Sequence, residues 1–192
     1  MNARTNPFAS RQMESLAYQC TEMPLKEIMA RLQTLHYRAA IIGPEGSGKT
    51  TLLETIGSRL KNTGFKPVFI KFDTEKNRFK KDLFIPNFQI PFHRHAFLID
   101  GVEQLSRLSR KRLYASTKKA GALVITSHRH TKMPVLVKTS TSPDLLYDLV
   151  LKLVGKKKMM DRQKINCLFE THNGNIRLAL RTLYDTWSDI EE

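Results

Sequence analysis

Between Gly43 and Thr51 the chain reads GPEGSGKTT, placing three of its 9 glycines within six positions and following them with a lysine and two threonines. Residue types and spacing both suit phosphate chemistry. Glycines allow a turn tight enough for successive backbone N–H groups to converge on an anion. A helix starting directly after the turn adds the positive end of its dipole to the same field. Gly43, Pro44, Glu45, Gly46, Ser47, Gly48, Lys49, Thr50 and Thr51 are therefore the expected phosphate-binding residues. Lys49 has the reach for β- and γ-phosphate oxygens, and the Thr50 hydroxyl is the expected ligand of Mg²⁺.

Such a turn needs a strand to deliver it and a helix opening behind it, and both are legible. YRAAII (Tyr37 to Ile42) reads as a short buried strand, while Leu52, Leu53, Ile56 and Leu60 recur at helical spacing. In that setting Gly43, four residues, then Gly48-Lys49-Thr50 is the P-loop pattern, which predicts a nucleoside-triphosphate site. The metal also needs an acid at the end of a neighbouring strand. FLID (Phe97 to Asp100) has the form of that Walker B strand, so Asp100 is the expected metal-side carboxylate, with Thr50.

PVFIKF (Pro67 to Phe72), GALVITSHR (Gly121 to Arg129) and MPVLVKTST (Met133 to Thr141) add further strands, with a basic helix after Asp100. Alternating strands and helices with near-continuous apolar strands predict an α/β fold, a parallel P-loop NTPase core with helices on both faces. Residues 6 to 36 read as a helical lead-in, with Pro24 at a helix start. Residues 73 to 94 read as an irregular excursion broken by Pro86 and Pro91. Beyond Thr141 the pattern is helical. Ser142 suits an N-cap, Pro143 the first helical position and Asp144 the first turn, and Gly155 ends that helix. Further helices are expected over 160–171 and from about Asn175, making a small C-terminal helical subdomain. The expected boundaries are 1–36, 37–141 and 142–192.

With both Walker motifs and ALVITS ending in Thr126 and Ser127, the chain resembles the AAA+ class of P-loop ATPases. The resemblance implies ATP as ligand and Thr126 as a polar sensor that places the attacking water. NGNIRLALRTLYD (Asn173 to Asp185) looks like the helix that carries the second sensor arginine of that class, which implies Arg177. Asn6-Pro7-Phe8 is similar to the segment lining the adenine pocket in initiator-type and transposition-helper ATPases. One position departs from the class: Gly101 stands where a glutamate usually activates water. Glu103, three residues past Asp100, comes within reach if a helix begins at once, and is the expected catalytic carboxylate; its other reading is a first-turn acid that stabilises its helix.

Charge bounds the partners. Lys plus Arg total 32 against 18 Asp plus Glu, a net +14, which favours polyanions. Six basic residues and no acid fall within 107–119, and six against Asp161 alone within 152–164. DNA or RNA is the expected partner of these clusters; a membrane surface, a ribosome or a plain solvated face has the same composition. A homo-oligomer or a protein partner is compatible with the class. No apolar run approaches the ~20 residues of a membrane span, and MNARTNPFASRQ lacks the apolar core of a signal peptide. Cys20 and Cys167 have no framework spacing, so reduced thiols and a cytoplasmic location are expected.

The HRH triplets at His93 to His95 and His128 to His130 fall at opposite ends of their strands, roughly 20 Å apart in parallel neighbours, too far for one zinc ion. His128 instead belongs near the γ-phosphate edge. No GxSxG elbow supports a serine hydrolase. Three functions stay open: an AAA+-type ATPase acting at nucleic acid, a nucleotide-dependent switch with little hydrolysis, and a small P-loop phosphotransferase or nucleoside-triphosphatase.

Overall fold

The apolar runs read as strands are buried on both sides because their alternate residues face two different helix layers. The computed structural model describes residues 6–9, 12, 23–72, 91–155 and 160–190. Within them, β1 (Arg38–Ile42), β2 (Lys66–Lys71), β3 (His95–Asp100), β4 (Ala122–Ser127) and β5 (Val135–Lys138) form one sheet. Its order is β2-β3-β4-β1-β5, and every neighbouring pair is parallel.

Ala39, Ile41, Ala96, Leu98, Ala122 and Val124 pack with α1 (Leu25–Thr34) and α2 (Lys49–Asn62) through Ile28, Leu32, Leu52, Leu53, Ile56 and Leu60. Their neighbours Ala40, Ile42, Phe97, Ile99, Leu123 and Ile125 pack on the other face with Val102, Leu105 and Leu113, the last from α3 (Arg107–Ser116). Period-2 geometry thus splits each continuous apolar run between two layers. The helices that follow β1 and β3 lie on opposite faces of the sheet.

Local chemistry sets the element ends. The first strand starts at Arg38, one residue later than expected, because His36 (φ 51) and Tyr37 (φ 57) hold left-handed backbone. The last strand is confined to Val135–Lys138, shorter than 133–141. Of the expected lead-in, Gln12 and Leu25–Thr34 are helical among the described residues, and Pro7-Phe8 is a turn. Of the excursion over 73–94, residues 73–90 lie outside the described residues, and Phe92–Arg94 is a single 3-10 turn. Arg38 Nη1 donates to the Thr117 carbonyl (3.0 Å) at the C-cap of α3, a favourable place for a cation. Burial lowers the pKa of that guanidinium.

Two compact units are distinguishable. One holds the sheet and α1–α3, comprising Gly48–Thr139 and the described residues from Met23 to Gly43. The other gathers Asn6–Ala9, Pro44–Ser47 and the described residues from Ser140 onward. Its helices are α4 (Pro143–Val154), α5 (Arg162–Thr171) and α6 (Ile176–Ile190). Ser142 Oγ caps α4 by accepting from Leu145 N, with Pro143 following, and Gly155 ends the helix. Leu146, Val150, Ile165, Ala179, Leu180 and Leu183 form its core. Asn6 Nδ2 donates to Tyr184 O (2.9 Å), and Phe8 meets Trp187 edge-on at 5.3 Å, clipping the Asn6-Pro7-Phe8 turn to α6. No helix of the described residues is long and apolar enough to cross a membrane.

Gly121, just ahead of β4, lies close against the 3-10 turn that precedes β3. A Cβ there would lie 1.9 Å from the His93 carbonyl oxygen. Gly121→Ala is expected to destabilise the chain by about 2 kcal/mol through overpacking, read as a lower midpoint in urea. Gly64→Ala, whose Cβ meets nothing within 4 Å, is expected to lose only about 1 kcal/mol to its left-handed φ. Equal losses would show that the His93 turn yields freely.

Candidate functional site

At the carboxyl end of the sheet, β1 delivers the chain into Gly43, whose N–H donates to Ser127 O (3.2 Å) and extends the β1–β4 ladder by one bond. Six residues on, α2 begins at Lys49 behind Gly48, which holds a left-handed φ of 79°. No side chain caps α2 and no acid of its own occupies its first turn. Lys49 is buried, and its Nζ donates to the Gly43 carbonyl at 2.9 Å.

The next residue starts the central network. Thr50 Oγ1 donates to Asp100 Oδ2 (2.9 Å) and Thr126 Oγ1 donates to Asp100 Oδ1 (2.5 Å). Gly101 N–H in turn donates to Thr126 Oγ1 (2.9 Å). Asp100 ends β3, and β4, which carries Thr126, lies between β3 and β1. The sheet therefore brings Gly43, Lys49, Thr50, Asp100 and Thr126 to one end. Both hydroxyls thus donate to the one carboxylate.

This donor set fits Mg²⁺. Thr50 Oγ1 and Asp100 Oδ2 are 2.9 Å apart, close to the ~3.0 Å edge of an octahedron with Mg–O bonds of about 2.1 Å. Hydroxyl and carboxylate oxygens are also the hard donors that this ion prefers.

Glu103 sits in a different setting from the one expected. No α-helix begins after Asp100: Gly101 is left-handed (φ 78), Val102–Gln104 makes one 3-10 turn, and Leu105 is extended. The α-helix starts only at Arg107, where Ser106 Oγ accepts from Ser109 N. The 3-10 turn packs on the end of β4, and Glu103 Oε1 comes 3.5 Å from His128 Nε2. Glu103 Oε2 is buried with no hydrogen-bond partner. His128, expected near the phosphate edge, is thus also the neighbour of Glu103, a pairing the sequence does not signal. His95 lies at the other end of the sheet, buried at the start of β3.

The remaining expected residues fall elsewhere. Thr51 is half-buried in α2, its carbonyl accepting from Thr55 Oγ1 (2.8 Å). Pro44, Glu45, Gly46 and Ser47 cluster with the helical unit, where Ser47 Oγ donates to Pro44 O (2.7 Å). Arg177 is exposed in the first turn of α6. Along α3, Arg107, Lys111 and Arg112 share an exposed face with Leu108, and Lys118 and Lys119 are exposed just beyond it. Among the described residues none of these five cations is ion-paired. Of the cluster over 152–164, residues 156–159 lie outside the described residues.

Compared with known proteins, the chain matches no family model and no curated protein sequence.

Position 101 is closed to a glutamate side chain. Besides its φ of 78°, a Cβ there would lie 2.8 Å from the Phe72 carbonyl. Gly101→Glu is expected to lower stability by about 2 kcal/mol or more, measured by thermal unfolding, and to leave any nucleotide turnover no faster. A stable variant with faster turnover would show that the 100–102 backbone relaxes to an ordinary helical start.

Proposed function

We propose that the chain is an ATP-binding P-loop ATPase resembling the AAA+ class, acting at nucleic acid. The observation that carries this reading is the convergence of the Thr50 and Thr126 hydroxyls on the Asp100 carboxylate, with Lys49 buried directly beside Thr50.

The chemistry asks little of the protein beyond placement and charge. Backbone N–H groups of the 43–50 turn and the uncapped start of α2 bind phosphate oxygens. Lys49 Nζ exchanges the Gly43 carbonyl for β- and γ-phosphate oxygens. Thr50 and Asp100 would hold Mg²⁺, which when bound neutralises phosphate charge. Thr126 keeps the Asp100 carboxylate oriented and has one lone pair left for water. Hydrolysis forms a bond from the water oxygen to Pγ and breaks the Pγ–O bond to ADP, and Glu103 is the carboxylate nearest in sequence to take the proton. Arg177 belongs to this reading as the second sensor, by resemblance alone. The exposed cations of α3 supply a binding stripe for nucleic-acid phosphates.

A second reading, a nucleotide-dependent switch with little hydrolysis, draws on a specific observation. Position 101 is closed to glutamate, and Glu103 is already engaged by His128.

ATP titration of wild type and Lys49→Ala tests the shared premise. Affinity is expected to fall at least a hundredfold in the variant, and equal affinity removes the turn from the site. Steady-state turnover with and without double-stranded DNA then separates the two readings. Turnover stimulated by DNA and abolished by Glu103→Gln supports the ATPase; tight binding without turnover supports the switch. Replacing Arg107, Lys111 and Arg112 by Gln is expected to flatten the slope of log K against log salt by about 3, since each lost phosphate contact contributes about 0.9. An unchanged slope makes that face a solvated one.

A further inference from the structure

The residue types around Gly46 and the start of α6 disclose a contact that no motif names. Gly46 has a left-handed φ of 73°, and a Cβ on it would fall 2.1 Å from Asn175 Oδ1 and 3.1 Å from Ile176 N. The middle glycine of the turn is therefore seated directly on the first residues of α6. Asn175 Oδ1 also accepts from Leu178 N (3.2 Å), so one side chain caps the helix and abuts the turn. Its place is set by the chain on either side. Gly174 N donates to Phe169 O (2.9 Å) and Asn175 N to His172 O (3.0 Å), through left-handed Asn173 and Gly174.

We propose that Asn175 is a positioning residue for the phosphate-binding turn, bracing Gly46 with the same oxygen that caps α6. This rests on the reading of the 43–50 turn as the phosphate site. Ser47 Oγ donates to Pro44 O within the turn, and the first residues of α6 lie against Gly46. A neutral amide suits this position. It is small enough to let Gly46 approach and carries no charge to compete with phosphate for the turn's N–H groups. Arg177, two residues further along α6, is thereby tied to the same turn through the backbone.

The test uses substitutions that separate capping from bracing. Asn and Asp cap equally well, so Asn175→Asp preserves α6 while placing a carboxylate against the turn. ATP affinity is expected to fall at least tenfold in Asn175→Asp, with adenosine binding unchanged, and to recover in Asn175→Ser. ATP affinity equal to wild type in Asn175→Asp overturns the positioning role and leaves a helix cap only. A double-mutant cycle in urea reads the contact without nucleotide. Gly46→Ala is expected to lower the unfolding midpoint at least twice as much in wild type as in the Asn175→Ala background. Equal shifts overturn the contact itself. Wild type that fails to bind ATP, with the cycle still coupled, removes the nucleotide reading and the role built on it, while the brace between Gly46 and α6 stands.

Discussion

The Asp100 carboxylate takes one hydroxyl from the start of α2 and another from the end of β4, and the organisation of the site depends on that junction. Three distant stretches of chain meet on two oxygen atoms. The sheet makes this possible by inserting β4 between β1 and β3, so that Thr126 stands beside Asp100. A carboxylate accepting hydrogen bonds from two hydroxyls has both oxygens partnered without an ion pair.

The backbone immediately after Asp100 constrains what chemistry follows. Gly101 turns the chain the left-handed way and directs its N–H to Thr126, closing a loop of bonds around the carboxylate. The same turn moves the next acid, Glu103, onto the 3-10 segment and against His128. The left-handed Gly101 and the place of Glu103 beside His128 are thus one structural fact. The carboxyl group of Glu103 is thereby held beside His128 and not beside Asp100.

Much of this was legible in advance, for reasons that differ by element. Each inner strand is an unbroken apolar run, and burial of both faces is the physical reason such runs exist, so the parallel sheet could be read from RAAII, HAFLID and ALVITS. Ser142, Pro143 and Gly155 marked their helix because caps act locally. What escaped the reading depends on neighbours far along the chain or on backbone hand. The delay of α3 to Arg107 follows from the φ of Gly101, and the meeting of Glu103 with His128 needs the packing of a 3-10 turn on β4. Asn175 could be seen as a helix start, but nothing local shows that its oxygen faces Gly46. The roles assigned to Arg177 and to the Asn6-Pro7-Phe8 turn rest on resemblance, and the fold adds only their places on or against α6.

The position of β1 has a consequence for the order in which the chain comes together. It lies inside the sheet, yet its partners β4 and β5 begin at Ala122 and Val135, long after Ile42 has been made. During synthesis β2 and β3 can pair as soon as both exist, whereas RAAII must wait with both hydrogen-bonding edges open. Such non-local pairing is slow, and an unpaired apolar strand is a template for wrong partners while it waits. The nascent chain therefore passes through a stage in which the glycine turn after Ile42 has been made but the strand leading into it has no partner. Anything that stalls the ribosome before Ser127 leaves β1 without either partner.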